Sequence, residues 1–445
     1  MTARKFFVGL LLAATSASCN SRHVIGTVTA GHAGSGGGGG GGSSGGRGGA
    51  SGSTGGPGGA VGGAGLAGAG GGAAGDGGGG GGGTGGGVGG SGGAGGGAGT
   101  GASDADAGTP TDGFPGWGPP PCTGAAAASV PSGGKFVAVT GTLAEIVVDP
   151  CNEHVYVTNS SSNRVEDYSV MSGALQAPIA VGSVPVGLDV TPDNRQLYVA
   201  NSGGTNLSVV DLATRQEQTK INFTSGISGD RALSVAITAN GKALFSTTFA
   251  GSGFGGRLLS ADVTNGAVTQ RTDFFINGTT TEATFLRPSG DHTVVGAIAG
   301  DISSGPVFAY RAAADAFAPE HDLNGFLRSV AVSPDGTLIS VDGALVLDAT
   351  LNLLGTVTGG SGGLFAAFGP SGTVLYRPKS NGIEIVDPAR FLVTGTIPVT
   401  ADTLTISASS VRPLRGPSIG DLVVSSDGKW LAVITDHGIT ILAIP

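Results

Sequence analysis

The residues of this chain that could do chemistry are few and widely spaced. The sequence contains six histidines and three cysteines among 445 residues. It has no H-E-x-x-H or paired Cys/His spacing for zinc, no C-x-x-C-H haem attachment and no G-x-x-x-x-G-K-[ST] phosphate loop. No serine stands in a G-x-S-x-G elbow between a strand and a helix. We therefore predict no catalytic residue, no metal site and no cofactor.

The histidines and aspartates of the second part of the chain favour structural roles. His154, His292 and His437 fall at turns or strand edges and His321 falls between repeats, where solvated or capping roles are expected. Four aspartates end an apolar β-run just before a turn: Asp211, Asp262, Asp348 and Asp387. Because a carboxylate at such a place accepts backbone N–H groups, we predict that these aspartates stabilise turns.

A short pattern recurs about seven times between Asp149 and the C-terminus, as an apolar β-run, a Pro/Asp/Asn/Gly turn and a second β-run. The copies are VVDPCNEHVYVTN, DVTPDNRQLYVAN, AITANGKALFSTT, FLRPSGDHTVVGA, AVSPDGTLISVDG, AFGPSGTVLYRPK and VVSSDGKWLAVIT. Their turns follow one another at intervals of about 36 to about 56 residues, which suits four short antiparallel strands per unit. The sequence predicts an all-β fold, a seven-bladed β-propeller of four-stranded blades, with six or eight blades as alternatives.

The ring is expected to close with a strand from the N-terminal side of the repeats. The last unit supplies three strands before the sequence ends, and the β-run Lys135-Phe136-Val137-Ala138-Val139-Thr140 stands alone before the first unit. Pairing this run with the last blade would remove two exposed sheet edges.

The chain upstream of the repeats predicts export and tethering. Residues 1–19 combine Arg4 and Lys5 with a short apolar run, which is typical of an export signal. Residues 20–108 are mostly glycine and are expected to form a disordered tether. Residues 109–121 form a proline-rich collar, and residues 122–445 form the propeller domain.

Cys19 is a candidate lipidation site. The stretch from Leu12 to Cys19 resembles a bacterial lipoprotein signal, which implies cleavage before Cys19 and its acylation. That signal usually has an aliphatic residue where this chain has Ser16, so conventional cleavage near Ser16 or Ser18 is the alternative. The resemblance implies a membrane anchor and a place in the cell envelope, either periplasmic or on the cell surface.

Charge and cysteine content agree with an exported domain. The net charge of −9 belongs to the propeller, because the upstream region contains as many basic as acidic residues. An acidic domain is a poor partner for phosphate backbones, so we predict no nucleic-acid binding. Cys122 and Cys151 remain as an even pair and predict a disulfide in an oxidising compartment, with two separate buried thiols as the alternative.

The first two repeats resemble the YVTN β-propeller family. Val155-Tyr156-Val157-Thr158-Asn159 matches the signature that names these repeats, and Leu197-Tyr198-Val199-Ala200-Asn201 continues it. The resemblance decays in later repeats. It implies the propeller fold, while members of the family range from surface-layer and binding proteins to lactonase-like enzymes, and some bind single-stranded DNA.

The function predicted from the sequence is binding without catalysis. We expect a monomer that binds a protein, a glycan or an envelope polymer, with a lactonase-like hydrolase at the central channel and single-strand DNA binding as alternatives. The ligand would contact loops that join blades or join second to third strands. Candidate ligand-binding residues in these loops are Arg164, Asn201, Arg231, Arg328, Arg412 and Arg415. The last two lie in the longest interval between repeats.

Overall fold

The computed structural model describes residues 115–124, 129–249, 255–281, 283–358, 365–406 and 417–445. The predicted export signal with Cys19, the predicted tether, the first part of the predicted collar, Arg412 and Arg415 lie outside these ranges. Among the described residues, no helix is long and apolar enough to cross a membrane.

Seven antiparallel sheets surround a common axis, which confirms the predicted fold. The first strand of each sheet lies innermost and contacts the first strand of the next sheet, and the last of the seven contacts the first, so the ring is closed. We number the sheets as blades I to VII in chain order. Strand β1 (Lys135–Ala138) precedes blade I but belongs to blade VII.

The first four blades contain four main strands each, and three of them add a two-residue strand. Blade I has β2 (Leu143–Val148), β3 (His154–Asn159), β4 (Arg164–Ser169), β5 (Ala174–Leu175) and β6 (Ile179–Ala180). Blade II has β7 (Pro185–Val190), β8 (Gln196–Asn201), β9 (Asn206–Asp211) and β10 (Gln216–Asn222). Blade III has β11 (Asp230–Ile237), β12 (Lys242–Phe249), β13 (Gly256–Asp262), β14 (Val268–Gln270) and β15 (Thr279–Thr280). Blade IV has β16 (Thr284–Pro288), β17 (Val294–Ala299), β18 (Pro306–Arg311), the 3-10 turn Ala312–Ala314, β19 (Ala316–Phe317) and β20 (His321–Asp322).

The last three blades have four strands each. Blade V has β21 (Val330–Val332), β22 (Leu338–Val341), β23 (Leu345–Asp348) and β24 (Leu353–Thr356). Blade VI has β25 (Ala367–Phe368), β26 (Leu375–Lys379), β27 (Gly382–Asp387) and β28 (Leu392–Pro398). Blade VII has β29 (Leu422–Val424), β30 (Trp430–Thr435) and β31 (Gly438–Ala443), with β1 as its outer strand.

The ring closes through the pairing of β1 with β31. The two strands are antiparallel, with Lys135 opposite Ile441 and Ala138 opposite Gly438. Val137 packs in a buried cluster with Ile439 and with residues of blade I. The predicted closure by the run that begins at Lys135 is therefore present.

One turn is repeated between the inner and second strands of every blade, and we call the side of the ring that holds these turns the turn face. The first residues of the turns are Asp149, Thr191, Thr238, Ser289, Ser333, Gly369 and Ser425. In each turn the N–H three residues later donates to the carbonyl of this first residue. The opposite side, with the connections between blades and between second and third strands, is the loop face.

The described part of the predicted collar is attached to the turn face. Trp117 donates its indole N–H to the carbonyl of Thr238 in blade III at 3.1 Å. Further along the chain, Cys122 is disulfide-bonded to Cys151 in the turn of blade I. The backbone N–H of Thr123 donates to the Glu153 carboxylate at 2.6 Å. The segment before the propeller therefore joins it on the turn face.

The aspartates at the ends of third strands accept N–H groups of the turns that follow, as the sequence predicts. Asp348 accepts the backbone N–H groups of Thr350 and Asn352 at 2.8 and 2.9 Å. The side chains of Asn352 and Thr350 also donate to Asp348, and these side-chain bonds, together with the backbone bonds, lower the pKa of Asp348 to about 2.

Gly438 tests the closure of the ring. A Cβ atom at Gly438 would lie 2.1 Å from the Val137 carbonyl oxygen, on the strand that closes blade VII. Because this neighbour is backbone, Gly438→Ala forces β1 and β31 apart, and we expect it to lower the free energy of unfolding by about 1–3 kcal/mol. Gly325→Ala is the control, since a Cβ at Gly325 meets nothing within 4 Å. Chemical denaturation of both variants checks this, and equal stability of the two would contradict the importance of the closure contact.

Candidate functional site

Two rings of side chains surround the axis. Counting back from the first residue of each turn, the residue four positions earlier forms the loop-side ring and the residue two positions earlier forms the turn-side ring. The loop-side ring is Glu145, Gly187, Ser234, Phe285, Ser329, Phe365 and Asp421. The turn-side ring is Val147, Asp189, Ala236, Arg287, Ala331, Ala367 and Val423.

An arginine bridges the channel from one side of the ring to the other. Arg287 of blade IV donates from Nη2 to both carboxylate oxygens of Asp421, at 3.1 and 2.9 Å. Its Nη1 contacts the Glu145 carboxylate. Glu145 belongs to blade I and Asp421 to blade VII, so one guanidinium links blade IV to the two blades on either side of the ring junction.

The bridge compensates carboxylates that are buried. Both acids are almost inaccessible to water, at 7% exposed for Glu145 and 4% for Asp421. Burial raises the pKa of Asp421, and the charge and hydrogen bonds of Arg287 oppose that rise. Arg287 thus places one positive charge between two buried carboxylates.

The inner acids also bond to the backbone of the next blade. Asp421 of blade VII accepts the Ile146 N–H of blade I at 3.3 Å, and Glu145 of blade I accepts the Leu188 N–H of blade II at 3.2 Å. Asp189 of blade II accepts the Ile237 N–H of blade III at 2.7 Å. These N–H groups lie on inner strands, which have no neighbouring strand on the axis side, so the carboxylates satisfy donors that would otherwise stay unpaired.

The next interface, between blades III and IV, uses a hydroxyl group. Ser234 of blade III accepts the Leu286 N–H of blade IV at 3.1 Å. At Gly187 the backbone of blade II approaches that of blade III so closely that a Cβ would lie 2.7 Å from the Leu233 carbonyl oxygen. Glycine is therefore required where the loop-side ring has no acceptor to offer.

The arginine bridge divides the channel into two cavities. The loop-side cleft has a volume of about 30 Å³, enough for one or two water molecules, and is bordered by Glu145, Arg287, Arg328 and Asp421. The turn-side chamber has a volume of about 420 Å³ and is lined by inner strands of all seven blades. A volume of this size suits a small organic molecule.

Asp189 and His292 are two of the polar residues that line the turn-side chamber. Asp189 is buried, and its burial raises the pKa of its carboxyl to about 6. His292 lies in the turn of blade IV, is 8% exposed, and bonds through Nδ1 to the Ile237 carbonyl at 2.9 Å. Of the solvated or capping roles expected for His292, the structure shows the second, because the ring is buried and bonds to a backbone carbonyl at the border of the chamber.

The other three histidines in the described part of the chain lie outside the channel cavities. His154 bonds to Asp167 at 2.7 Å, and this bond raises the pKa of the imidazole. His437 bonds to Asp402 at 2.8 Å with the same effect on its pKa. His321 lies in β20, at the edge of blade IV.

The candidate ligand-binding residues that the structure describes are spread over separate parts of the loop face. Arg164 donates to Glu166 at 2.7 Å, and Arg231 is exposed at the start of β11. Arg328 borders the loop-side cleft. These three do not share a cavity, so their role in ligand binding stays a prediction, as does that of Arg412 and Arg415 outside the described residues.

Asn201 occupies a packing position. It is 0% exposed, and its amide nitrogen donates to Asn206 and to Ser208, both at 2.8 Å. Gly182, in the connection to blade II, approaches it so closely that a Cβ there would lie 2.4 Å from the Asn201 amide. The asparagine of this repeat therefore fixes the connection between blades I and II.

Within the described residues, no group of three or more His, Cys, Asp or Glu side chains is placed to hold a metal ion. The sequence reasoning missed five channel residues: Glu145, Asp189, Arg287, His292 and Asp421. Alignment on the first residue of each turn would have found Asp189 and Arg287, because they are the two charged members of an otherwise small apolar ring.

Seven four-stranded or five-stranded sheets, closed by the N-terminal strand, define a seven-bladed β-propeller. No protein-family model and no curated protein matches the chain. Among solved structures it is similar to the hydrazine synthase of Kuenenia stuttgartiensis, with a TM-score of 0.52 and 16% identity over 70% of this chain and 98% of that one.

The chain is also similar to the β-propeller domain of Cps50 (Swd1) from Myceliophteria thermophila. The TM-score is 0.51 and the identity 9%, over 71% of this chain and 100% of that one. At identities this low the likeness shows the fold alone.

Loss of the arginine bridge is expected to destabilise the propeller strongly. Arg287→Gln leaves Glu145 and Asp421 buried without a counter-charge, which typically costs about 3–5 kcal/mol. Arg390→Gln is the control, because Arg390 is 79% exposed and pairs with Asp387 at the surface; we expect less than about 1 kcal/mol. Chemical denaturation measures both.

Neutralising both acids should rescue the arginine variant. Adding Glu145→Gln and Asp421→Asn to Arg287→Gln should restore much of the lost free energy of unfolding. If Arg287→Gln were as stable as the wild type, the arginine bridge would not stabilise the propeller.

Asp189 is expected to make stability fall as pH rises. Its pKa is about 6 in the folded protein and about 4 when unfolded, so the folded state binds more protons between these values. The contribution of protonated Asp189 to the free energy of unfolding is complete below about pH 4 and is lost as pH rises through about 6. The stability of wild type relative to Asp189→Asn should therefore decrease by up to about 3 kcal/mol from pH 4 to 7. Denaturant titrations at each pH measure it, with exposed Asp322→Asn as control; a pH-independent difference would contradict the assignment.

Proposed function

We propose that the protein is an exported, lipid-anchored and non-catalytic β-propeller that binds a protein, a glycan or an envelope polymer through its loop face. The observation that carries this proposal is the position of Arg287 between Glu145 and Asp421. A hydrolase working at the centre of the channel would place a metal ion or an activated water between such carboxylates. Here a guanidinium takes that position and the carboxylates bond to backbone N–H groups.

The attachment of the upstream segment supports the loop face as the binding face. Cys122, Thr123 and Trp117 contact turns of blades I and III, all on the turn face. A tether that arrives there leaves the loop face free to meet a partner. A glycine-rich chain of the proposed length spans roughly 50 Å, so a propeller anchored through Cys19 would reach well beyond the membrane surface.

The likeness to YVTN repeats is part of the same proposal. The structure gives Asn159 and Asn201 the same task, since each is fully buried and holds the connection that leads into its own blade. A shared structural task for these asparagines supports membership of the YVTN propellers without pointing to the activity of any one member.

Binding to envelope fractions tests the proposed face. Arg231→Glu with Arg328→Glu alters the loop face, and we expect at least tenfold weaker retention of the purified protein by envelope fractions of the native host. The matched control is Arg195→Glu with Arg390→Glu, which reverses two exposed charges on the turn face. Intact mass of the membrane-bound protein, with an acylated Cys19 expected, tests the anchor separately.

Three results would overturn the proposal. Equal loss of retention in both double variants would show that general charge, not the loop face, governs binding. A soluble mature form cleaved before Cys19 would remove the anchor. Turnover of a lactone or ester that disappears in Asp189→Asn would replace binding by hydrolysis.

A further inference from the structure

The turn-side chamber contains a histidine at a position where every other blade has asparagine or glycine. The equivalent residues, each with a left-handed backbone, are Asn152, Asn194, Gly241, His292, Gly336, Gly372 and Gly428. Asparagine and glycine satisfy this conformation in the other six blades, and histidine also adopts it more often than most residues do. The turn therefore has no structural need for an imidazole at His292.

Asp189 is a second departure, in the turn-side ring. Five members of this ring are valine or alanine, and the other charged member, Arg287, is engaged with Glu145 and Asp421. Asp189 has no ion pair with any Lys or Arg of the described residues, although it is only 6% exposed. The partners of its carboxylate are the backbone N–H groups of Val190 and Ile237, so Asp189 brings to the chamber a carboxylate that no lysine or arginine neutralises.

One residue of blade III positions both groups. The Ile237 N–H donates to Asp189 Oδ2 at 2.7 Å, and the Ile237 carbonyl accepts from His292 Nδ1 at 2.9 Å. A carbonyl only accepts, so Nδ1 carries the proton and Nε2 of a neutral ring is an acceptor. Asp189 and His292 do not bond to each other, and both border the same chamber.

The polar groups of the chamber favour one class of ligand. The Asp189 carboxylate and His292 Nε2 are both acceptors, and one of them is negatively charged, so they suit a ligand with several N–H donors and a positive charge. The lining also includes Asp149 and Asp291, together with Arg287 and Glu145 of the arginine bridge. The described residues offer no group of three ligands for a metal ion. The remaining wall includes Val147, Ala331, Ala367, Val423 and Phe368, which suit a hydrocarbon body.

We propose that the turn-side chamber binds a small primary amine, whose ammonium group donates to Asp189 and to His292 Nε2 while its apolar body packs on the inner strands. The volume of about 420 Å³ admits a ligand of this size. The site lies on the opposite side of the arginine bridge from the loop face, so it is independent of the binding proposed there.

Calorimetry with benzylammonium on the full-length protein at pH 7.5 tests the site. We expect binding of one benzylammonium per chain and no detectable binding of benzyl alcohol or benzoate, which match its size without its charge. Asp189→Asn should weaken the affinity at least tenfold. His292→Asn should weaken it about fivefold, and this variant keeps the turn because asparagine stands at the same place in blades I and II.

The control is Asp335→Asn, in the turn of blade V and outside the chamber lining, which should leave the affinity unchanged. Absence of benzylammonium binding to the wild type would overturn the proposal, since the chamber would then hold water alone. Equal binding of benzyl alcohol, or unchanged affinity in His292→Asn and Asp189→Asn, would also overturn it by showing an apolar cavity without amine recognition.

Discussion

Seven inner strands converge on the axis of the ring, and each has an edge that no further strand can cover. The N–H groups along these edges are buried between blades, where an unpaired donor costs about 1–3 kcal/mol. Asp421, Glu145 and Asp189 each accept such an N–H from the next blade, and Ser234 does so where the interface between blades III and IV needs it. The acidity of the channel is thus first a solution to backbone hydrogen bonding.

That solution creates the need for Arg287. Carboxylates placed close together in a buried channel repel each other and lose hydration, so their charge must be compensated where they lie. Arg287 comes from blade IV and meets Asp421 and Glu145 on both sides of the ring junction. The same junction is closed on the outside by the pairing of β1 with β31. The ion pairs of Arg287 at the axis and the pairing of β1 with β31 at the outside therefore stabilise the same ring junction. Opening the ring there would break both.

The fold could be predicted because its determinants are local and repeated, namely alternating apolar runs, turn residues and a lone β-run at Lys135. The channel could not, because the seven copies of the pattern, when aligned at their fourth residue, place blade IV two residues out of register. The hydrogen bonds of the turn equate Ser289 with Thr191, so Gly290 and not Pro288 matches Pro192. The sequence predicts Asn201 as a ligand-binding residue because of its expected position in a loop. In the structure Gly182, which is distant in sequence, packs against its amide.

In a repeat protein, the equivalent positions of the other blades show which residue types the fold itself requires at a given position. A residue that differs from all its equivalents therefore needs another explanation. The interval between the turns of blades VI and VII, from Pro370 to Ser426, departs in length, and added chain length between repeats costs little. His292 departs in identity at a position where the other six blades have only asparagine or glycine. Asp189 accepts a desolvation cost that valine or alanine would avoid. These two departures, joined through Ile237 and facing one chamber, are a stronger sign of a binding site than any irregularity of the outer loops.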